Sequence, residues 1–141
     1  MSFVISPVPV VVDASVAVDL AVGDRPGTPD VVRGWIAGLR MLLVPAAHWT
    51  EVGHAVLRRL DSDAIQAGRR LEKLEALGIE TADRGPAGIR MALLLAERHH
   101  LSVYDATYLW LAIDVDGELA TFDRDLARAA RAEGVPLALE P

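Results

Sequence analysis

The sequence predicts an α/β fold with a parallel β-sheet, and two observations support this prediction. Short runs of β-branched and other aliphatic residues alternate with longer segments whose apolar residues recur at helical spacing. The 141 residues also show no internal repeat, no low-complexity tract and no linker long enough to separate domains. We therefore expect one domain over residues 1–141, with a sizeable and mainly aliphatic core.

In the first part of the chain, the sequence predicts a strand and a helix, followed by a second helix and a second strand. Val8–Val12 is a continuous apolar run, as in a strand that is buried on both faces, and a predicted helix, Ala14–Val22, follows it. Gly23–Pro29 is rich in glycine and proline, which favours a loop. A second helix is predicted at Asp30–Arg40, before a strand at Met41–Val44.

Helices fill most of the second half of the chain. The helical spacing of apolar residues predicts five of them, at Ala46–Leu60, 62–77, Gly85–His99, Ser102–Asp114 and Phe122–Glu133. Short apolar or β-branched segments predict three more strands, at Ile79–Ala82, Glu118–Ala120 and Val135–Leu139. This order of elements is typical of a parallel sheet covered by helices.

The composition indicates the cellular compartment and excludes some kinds of metal site. The chain has no cysteine, which excludes disulfides and thiolate metal sites. Met1–Val12 has no basic segment and its apolar run is interrupted by two prolines, so we do not expect a signal peptide. No uncharged apolar stretch reaches the ~18 residues of a membrane span. We expect a cytoplasmic protein with no membrane partner.

Two acidic residues follow predicted strands and are therefore candidates for a functional site. Asp13 comes directly after the strand Val8–Val12, and Asp123 closely follows Glu118–Ala120. In parallel α/β sheets, ligands bind beyond the carboxyl ends of the strands. We expect these two carboxylates at the same edge of the sheet.

Each candidate acid also has an ordinary structural explanation, and the residues alone leave both interpretations open. Asp13 and Asp123 suit the N-caps of the helices that follow them, and Glu51 suits a solvated helix position. Asp105 lies in a helix that is apolar almost all round, where an ionised carboxylate is costly unless it is paired or metal-bound. Alternatively, Asp105 is the last residue of a capping box that begins at Ser102.

Taken together, the four carboxylates of Asp13, Glu51, Asp105 and Asp123 indicate a metal site. Carboxylates about 5 Å apart would repel one another by roughly 3 kcal/mol per pair at an effective dielectric constant of ~20, so cations or protons must neutralise them. All-oxygen ligands favour Mg²⁺ or Mn²⁺, which suits phosphodiester hydrolysis. The net charge of −6 then says little against an RNA substrate, because the bound ions would offset the acids.

Four segments of the chain resemble the PIN-domain family, and within it the VapC-type ribonuclease toxins of bacterial toxin–antitoxin pairs. They are Val11–Ser15, Val44–Arg59, His100–Tyr108 and Ala120–Leu126, in the family's order and at its spacing. The resemblance implies a three-layer α/β/α sandwich and a Mg²⁺- or Mn²⁺-dependent endoribonuclease. It also implies a cognate antitoxin as partner and a homodimer.

The resemblance assigns roles to residues by motif. Asp13, Glu51, Asp105 and Asp123 become the catalytic and metal-binding acids. Ser15 and Thr121 are candidate supporting hydroxyls, and Asp125 is either an auxiliary acid or a first-turn charge that complements the helix dipole. Phe122 is larger than the residue expected at its position and is predicted to narrow the groove.

The remaining candidates concern other metals and RNA contacts. The histidines His48, His54, His99 and His100 form no H-E-x-x-H pattern, and His99–His100 suits a helix C-terminus. Arg58, Arg59 and Arg124 lie close in sequence to the acids and are candidate phosphate contacts, although solvated helix faces explain them equally well. The main alternative function is an inactive PIN-like module that binds RNA or a protein without cleaving anything.

Overall fold

The computed structural model describes residues 7–141, which form five strands and seven helices. The strands are β1 (Val10–Val12), β2 (Leu42–Val44), β3 (Glu80–Thr81), β4 (Glu118–Ala120) and β5 (Leu137–Leu139). The helices are α1 (Ala14–Val22), α2 (Thr28–Ala37), α3 (His48–Arg59), α4 (Ala64–Glu75), α5 (Gly85–His99), α6 (Val103–Asp114) and α7 (Arg124–Ala132). Every predicted strand and helix is confirmed, with bounds that differ by a few residues. The signal-peptide prediction for Met1–Val12 lies partly outside the described residues.

The second helix begins inside the segment that was predicted to be a loop. Helix α2 starts at Thr28 and carries Pro29 in its first turn. A proline fits that position because the N–H it lacks would have no helical partner there, and its ring fixes a helical backbone angle. Pro29 was therefore a helix-start signal rather than the end of a loop.

The sheet is parallel throughout the described residues, in the order β3-β2-β1-β4-β5. The chain builds outward from β1 through β2 to β3, and then returns to add β4 and β5 on the other side of β1. The crevice between β1 and β4 is therefore the point at which the strand order reverses, where open α/β sheets bind their ligands.

Successive strand residues alternate between two helical layers. Val12 of β1 belongs to a core cluster with Val16 of α1, whereas Val11 belongs to a separate cluster with Leu109 of α6 and Leu126 of α7. The predicted three-layer α/β/α sandwich is confirmed, and its core is aliphatic as expected. Within residues 7–141, no helix has the length and apolar character needed to cross a membrane.

Helix α3 is held against the rest of the domain by a narrow apolar stripe. Val52 and Val56 are fully buried and cluster with Ala17 of α1 and Leu74 of α4. Because Glu51 directly precedes Val52, it lies at the border of this stripe rather than on the solvated side of the helix. The packing of α3 thereby brings a carboxylate toward the strand ends.

Candidate active site

The Asp13 carboxylate is the most buried member of the site. Asp13 follows β1, is 4% exposed and accepts hydrogen bonds at Oδ2 from Ser15 Oγ at 2.6 Å and Thr121 Oγ1 at 2.8 Å. It occupies the N-cap position of α1, but its side chain makes no capping hydrogen bond. Burial raises the pKa of Asp13, and the hydroxyls of Ser15 and Thr121 partly offset that rise.

The two hydroxyls also tie the loop after β4 to the loop after β1. The backbone N–H of Phe122 donates to Ser15 Oγ, and that of Asp123 donates to Thr121 Oγ1, both at 3.0 Å. The Asp13 N–H donates to the carbonyl of Ala120 at 3.0 Å, which continues the strand pairing. Ser15 and Thr121 therefore support Asp13 and fix the crevice at the same time.

Asp123 combines a capping role with a place in the site. Its Oδ1 accepts a hydrogen bond from the Leu126 N–H at 2.8 Å, so the N-cap interpretation is confirmed. Its charge nevertheless acts on Asp105, whose pKa it raises. Asp125 pairs with Arg128 at 2.9 Å and makes a smaller contribution to the pKa of Asp105.

Asp105 lies in the first turn of α6. Its backbone N–H donates to Ser102 Oγ at 3.0 Å, so this half of the predicted capping box is present. The pKa of Asp105 is raised to about 6, first by burial and then by the charges of Asp13 and Asp123, while the Ser102 hydroxyl lowers it. Capping therefore does not remove the electrostatic cost of this carboxylate.

Glu51 is half-buried, and its carboxylate is held by a chain of two buried side chains. The Tyr108 hydroxyl donates to Glu51 Oε1 at 3.1 Å and lies 2.9 Å from Nδ1 of His48. Burial lowers the pKa of His48 to about 4, so its ring is neutral near pH 7 and carries one N–H. Because Tyr108 donates to Glu51, this N–H lies on Nδ1 and donates to the Tyr108 oxygen.

The pKa of Glu51 is raised, first by burial and then by the charges of Asp13 and Asp105, against the lowering effect of Tyr108. The solvated-surface interpretation of Glu51 is therefore wrong. Sequence reasoning also missed the pair Tyr108 and His48. The available signal was spacing, because Tyr108 lies three residues after Asp105 and His48 three before Glu51, which places each pair on one helix face.

The four acids thus lie near enough for their charges to act on one another, since Asp13 and Asp105 raise the pKa of Glu51, and Asp13 and Asp123 raise that of Asp105. Within residues 7–141, no three histidine or acidic side chains are placed to hold a metal ion as they stand. The donor set nevertheless fits Mg²⁺ or Mn²⁺ in its chemistry, because it offers only oxygen ligands. Three of its members have raised pKa values, two of them partly through the charge of their neighbours, which a bound cation would relieve.

The other predicted residues lie outside this group of acids. Arg59 pairs with Asp24 at 2.7 Å, while Arg58 and Arg124 are exposed. His99 lies in the last turn of α5, and its Nε2 contacts Glu133 at 2.8 Å. His100 is the left-handed residue that ends α5, and His54 is exposed.

Comparison with known proteins identifies the fold family. A family model described as PIN domain matches residues 10–132. The chain belongs to the PIN-domain family. The resemblance seen in the four sequence segments is therefore confirmed over most of the chain.

Curated relatives agree with this assignment, and two solved structures share the fold. Ribonuclease VapC1 of Mycobacterium tuberculosis, in strains CDC 1551 / Oshkosh and ATCC 25618 / H37Rv, is 35% identical over 129 residues, which cover 89% of this chain and 92% of the relative. The crystal structure of PAE2754 from Pyrobaculum aerophilum matches with a TM-score of 0.69 and 24% identity, over 94% of this chain and 83% of that one. The structure of M. tuberculosis VapC20, described as a sarcin-ricin loop cleaving toxin, matches with a TM-score of 0.68 and 17% identity, over 85% of this chain and 94% of that one.

The raised pKa of Asp105 makes a prediction about stability. Its folded-state pKa of about 6 exceeds the ordinary value of 3.8, so the folded protein holds this proton more tightly and loses stability as pH rises between these values. Asp105→Asn should therefore increase the free energy of unfolding at pH 8 by roughly 1–2 kcal/mol, allowing for solvent screening. Denaturant unfolding in EDTA checks this, and the gain should shrink at pH 4.5. A loss of stability at pH 8 would contradict it.

The buried chain from His48 to Glu51 predicts a non-additive pair of substitutions. Tyr108→Phe leaves the buried Nδ1–H of His48 without its partner, which should cost roughly 1–3 kcal/mol in the free energy of unfolding. Adding His48→Leu to Tyr108→Phe should recover part of that loss, because both polar partners are then removed together. A double-mutant cycle measured by denaturant unfolding checks the coupling, and additive losses would disprove it.

Proposed function

We propose that this protein is a Mg²⁺- or Mn²⁺-dependent endoribonuclease and the toxin of a toxin–antitoxin pair. The observation that supports it most is the group of four carboxylates at the β1–β4 crevice, of which Asp13, Glu51 and Asp105 have raised pKa values. The 35% identity to a protein named Ribonuclease VapC1, over nearly the full length of both, supports the same activity here. The cytoplasm is the proposed compartment, because RNA and the antitoxin would be met there.

Different residues have different roles in the proposed reaction. Asp13, Glu51, Asp105 and Asp123 would hold the divalent ions, which when bound polarise the phosphodiester and lower the pKa of the attacking water. The hydroxyls of Ser15 and Thr121 fix the orientation of the Asp13 carboxylate. Tyr108 does the same for Glu51 by donating a hydrogen bond to Oε1.

Exposed arginines are the proposed contacts to the RNA backbone. Within residues 7–141, no salt bridge engages Arg58 or Arg124, and Arg59 pairs with a partly exposed Asp24. Guanidinium groups bind phosphate oxygens in a planar, two-point geometry. Arg58 follows Glu51 on α3, and Arg124 follows Asp123, so a backbone that reaches the acids passes near both.

RNA cleavage tests the proposed activity directly. With labelled RNA, the purified protein should cut in Mg²⁺ or Mn²⁺ and stop in EDTA. Asp105→Asn should lower the cleavage rate at least about 100-fold, or about 2.7 kcal/mol, because one oxygen ligand is lost. Asp30→Asn is the matched control, since Asp30 pairs with Arg33 on the surface of α2. A folded wild-type protein that binds RNA but cuts none would favour the inactive binding module instead.

Exposed apolar side chains of α5 support the proposed homodimer. Four large apolar side chains there are more than two fifths exposed, namely Ile89, Met91, Leu93 and Leu94. Exposed apolar patches of this kind mark interaction surfaces. The cognate antitoxin is proposed to bind elsewhere, at the acidic crevice that it must block.

Oligomeric state is therefore the next measurement. Light scattering should give a dimer for the wild type at micromolar concentration and a monomer for Leu94→Arg, which places a charge among these apolar side chains. Ile65→Arg is the control, because Ile65 is 70% exposed on α4. A wild-type monomer, or a dimer that Leu94→Arg does not weaken, would rule out this interface.

A further inference from the structure

A cavity of about 400 Å³ opens directly beside the acids. It shares Ser15 and Glu51 with the site, and its other lining residues are Ala14, Val18, Asp19, Asp24, Arg25, Ala55, Arg59 and Phe122. Its volume lies within the range of about 300–1,000 Å³ that small-ligand pockets occupy. A chain of RNA whose phosphate lies at the acids would place a neighbouring nucleotide here.

Asp19 is the unexplained group in the wall of this cavity. It is 5% exposed, and neither of its carboxylate oxygens accepts a hydrogen bond from residues 7–141. A buried carboxylate without donors costs stability unless a ligand or a proton satisfies it. Two hydrogen-bond acceptors thus lie behind the wall of the cavity, where the N–H groups of a ligand would satisfy them.

Another part of the cavity wall offers a flat surface. The Arg25 guanidinium lies over the Phe122 ring, 3.7 Å from its centroid. Aromatic rings and guanidinium planes are the surfaces on which proteins stack unpaired RNA bases. The large side chain at position 122, predicted only to narrow the groove, thus supports the Arg25 guanidinium, whose outer face is a surface on which a base can stack.

An exposed ion pair forms the rim of the cavity. Arg59 contacts both oxygens of Asp24 at 2.7 and 2.9 Å, and both side chains are about half exposed. Surface pairs of this kind contribute at most about 1 kcal/mol, so moving the rim aside costs little. The charge of Asp19 raises the pKa of Arg59, so the pair lies close to Asp19, and a ligand bound to Asp19 would displace it.

We propose that this cavity binds one base of the RNA, stacked against Arg25 and Phe122 with Asp19 accepting its N–H groups, and that it selects guanine next to the cut bond. The proposal rests on the proposed ribonuclease function and adds a specificity determinant to it. Guanine fits because its N1–H and 2-amino group are adjacent donors that match the two oxygens of one carboxylate. The other bases offer fewer donors on that edge.

The charge of the lining favours a base over an isolated phosphate. Three carboxylates face two arginines, and Arg59 is already paired with Asp24. An anion would meet repulsion from Asp19, Asp24 and Glu51. A cationic side chain from a protein partner is the remaining alternative, but it makes no use of the stacking surface at Phe122.

The experiment maps cleavage sites in a randomised RNA pool. Wild type should enrich guanine at least tenfold at one fixed position beside the cut, and Asp19→Asn should reduce that enrichment to less than twofold. Asp19→Asn retains the side-chain shape but replaces one acceptor by a donor, and it should fold because it removes a buried charge. Asp30→Asn, on the surface of α2, should leave the enrichment unchanged.

A nucleotide-binding measurement in EDTA distinguishes failure of this proposal from failure of the proposed function. Asp105→Asn protein should bind guanosine monophosphate at least fivefold more tightly than the other three nucleotides, and adding Asp19→Asn should abolish that preference. Cleavage without a base preference, or a guanine preference that survives Asp19→Asn, overturns the cavity proposal alone. Failure to cut any RNA overturns the ribonuclease, while the nucleotide-binding measurement still decides the cavity. Binding of an arginine-containing peptide but of no nucleotide assigns the cavity to a protein partner and overturns the proposal.

Discussion

The burial of the Asp13 carboxylate is the constraint on which the arrangement of the site depends. This group lies at the central strand with 4% exposure, and the hydroxyls of Ser15 and Thr121 hold its Oδ2. The same hydroxyls accept backbone N–H groups from the loop after β4. One network therefore satisfies a buried charge, closes the crevice and fixes the start of α7. Removal of the Ser15 hydroxyl would free the Phe122 N–H, and removal of the Thr121 hydroxyl would free the Asp123 N–H at the start of α7.

Electrostatic interactions within the site reduce the stability of the folded protein. Burial and mutual repulsion raise the pKa values of Glu51 and Asp105, His48 is buried and neutral, and Asp19 has no donor among the described residues. Such costs must be offset elsewhere in a marginally stable domain. Here the aliphatic clusters on both faces of the sheet offset them. Buried charged or polar groups that reduce stability are typical of functional sites.

Much of the fold and part of the site could be predicted from the sequence, for identifiable reasons. Strands and helices follow from apolar spacing, and the common edge of Asp13 and Asp123 follows from parallel topology. An acid can take part in a helix cap and still belong to the candidate site. Asp123 caps α7 with one carboxylate oxygen, and Asp105 takes part in the cap of α6 through its backbone N–H. The contact of Tyr108 with His48 joins helices 60 residues apart, and no local pattern specifies that contact. The same holds for Asp19, whose lack of donors depends on how α1 packs.

The bond between Thr121 and Asp13 joins residues 108 positions apart in the chain, and this separation bears on how the protein is made. Strand β1 is synthesised before its neighbour β4, and the Thr121 hydroxyl that supports Asp13 follows that carboxylate by 108 residues. Synthesis runs from the N-terminus, so the crevice cannot close on a nascent chain that lacks β4. The crevice therefore forms only after β4 has left the ribosome, and a chain that terminates before β4 has none.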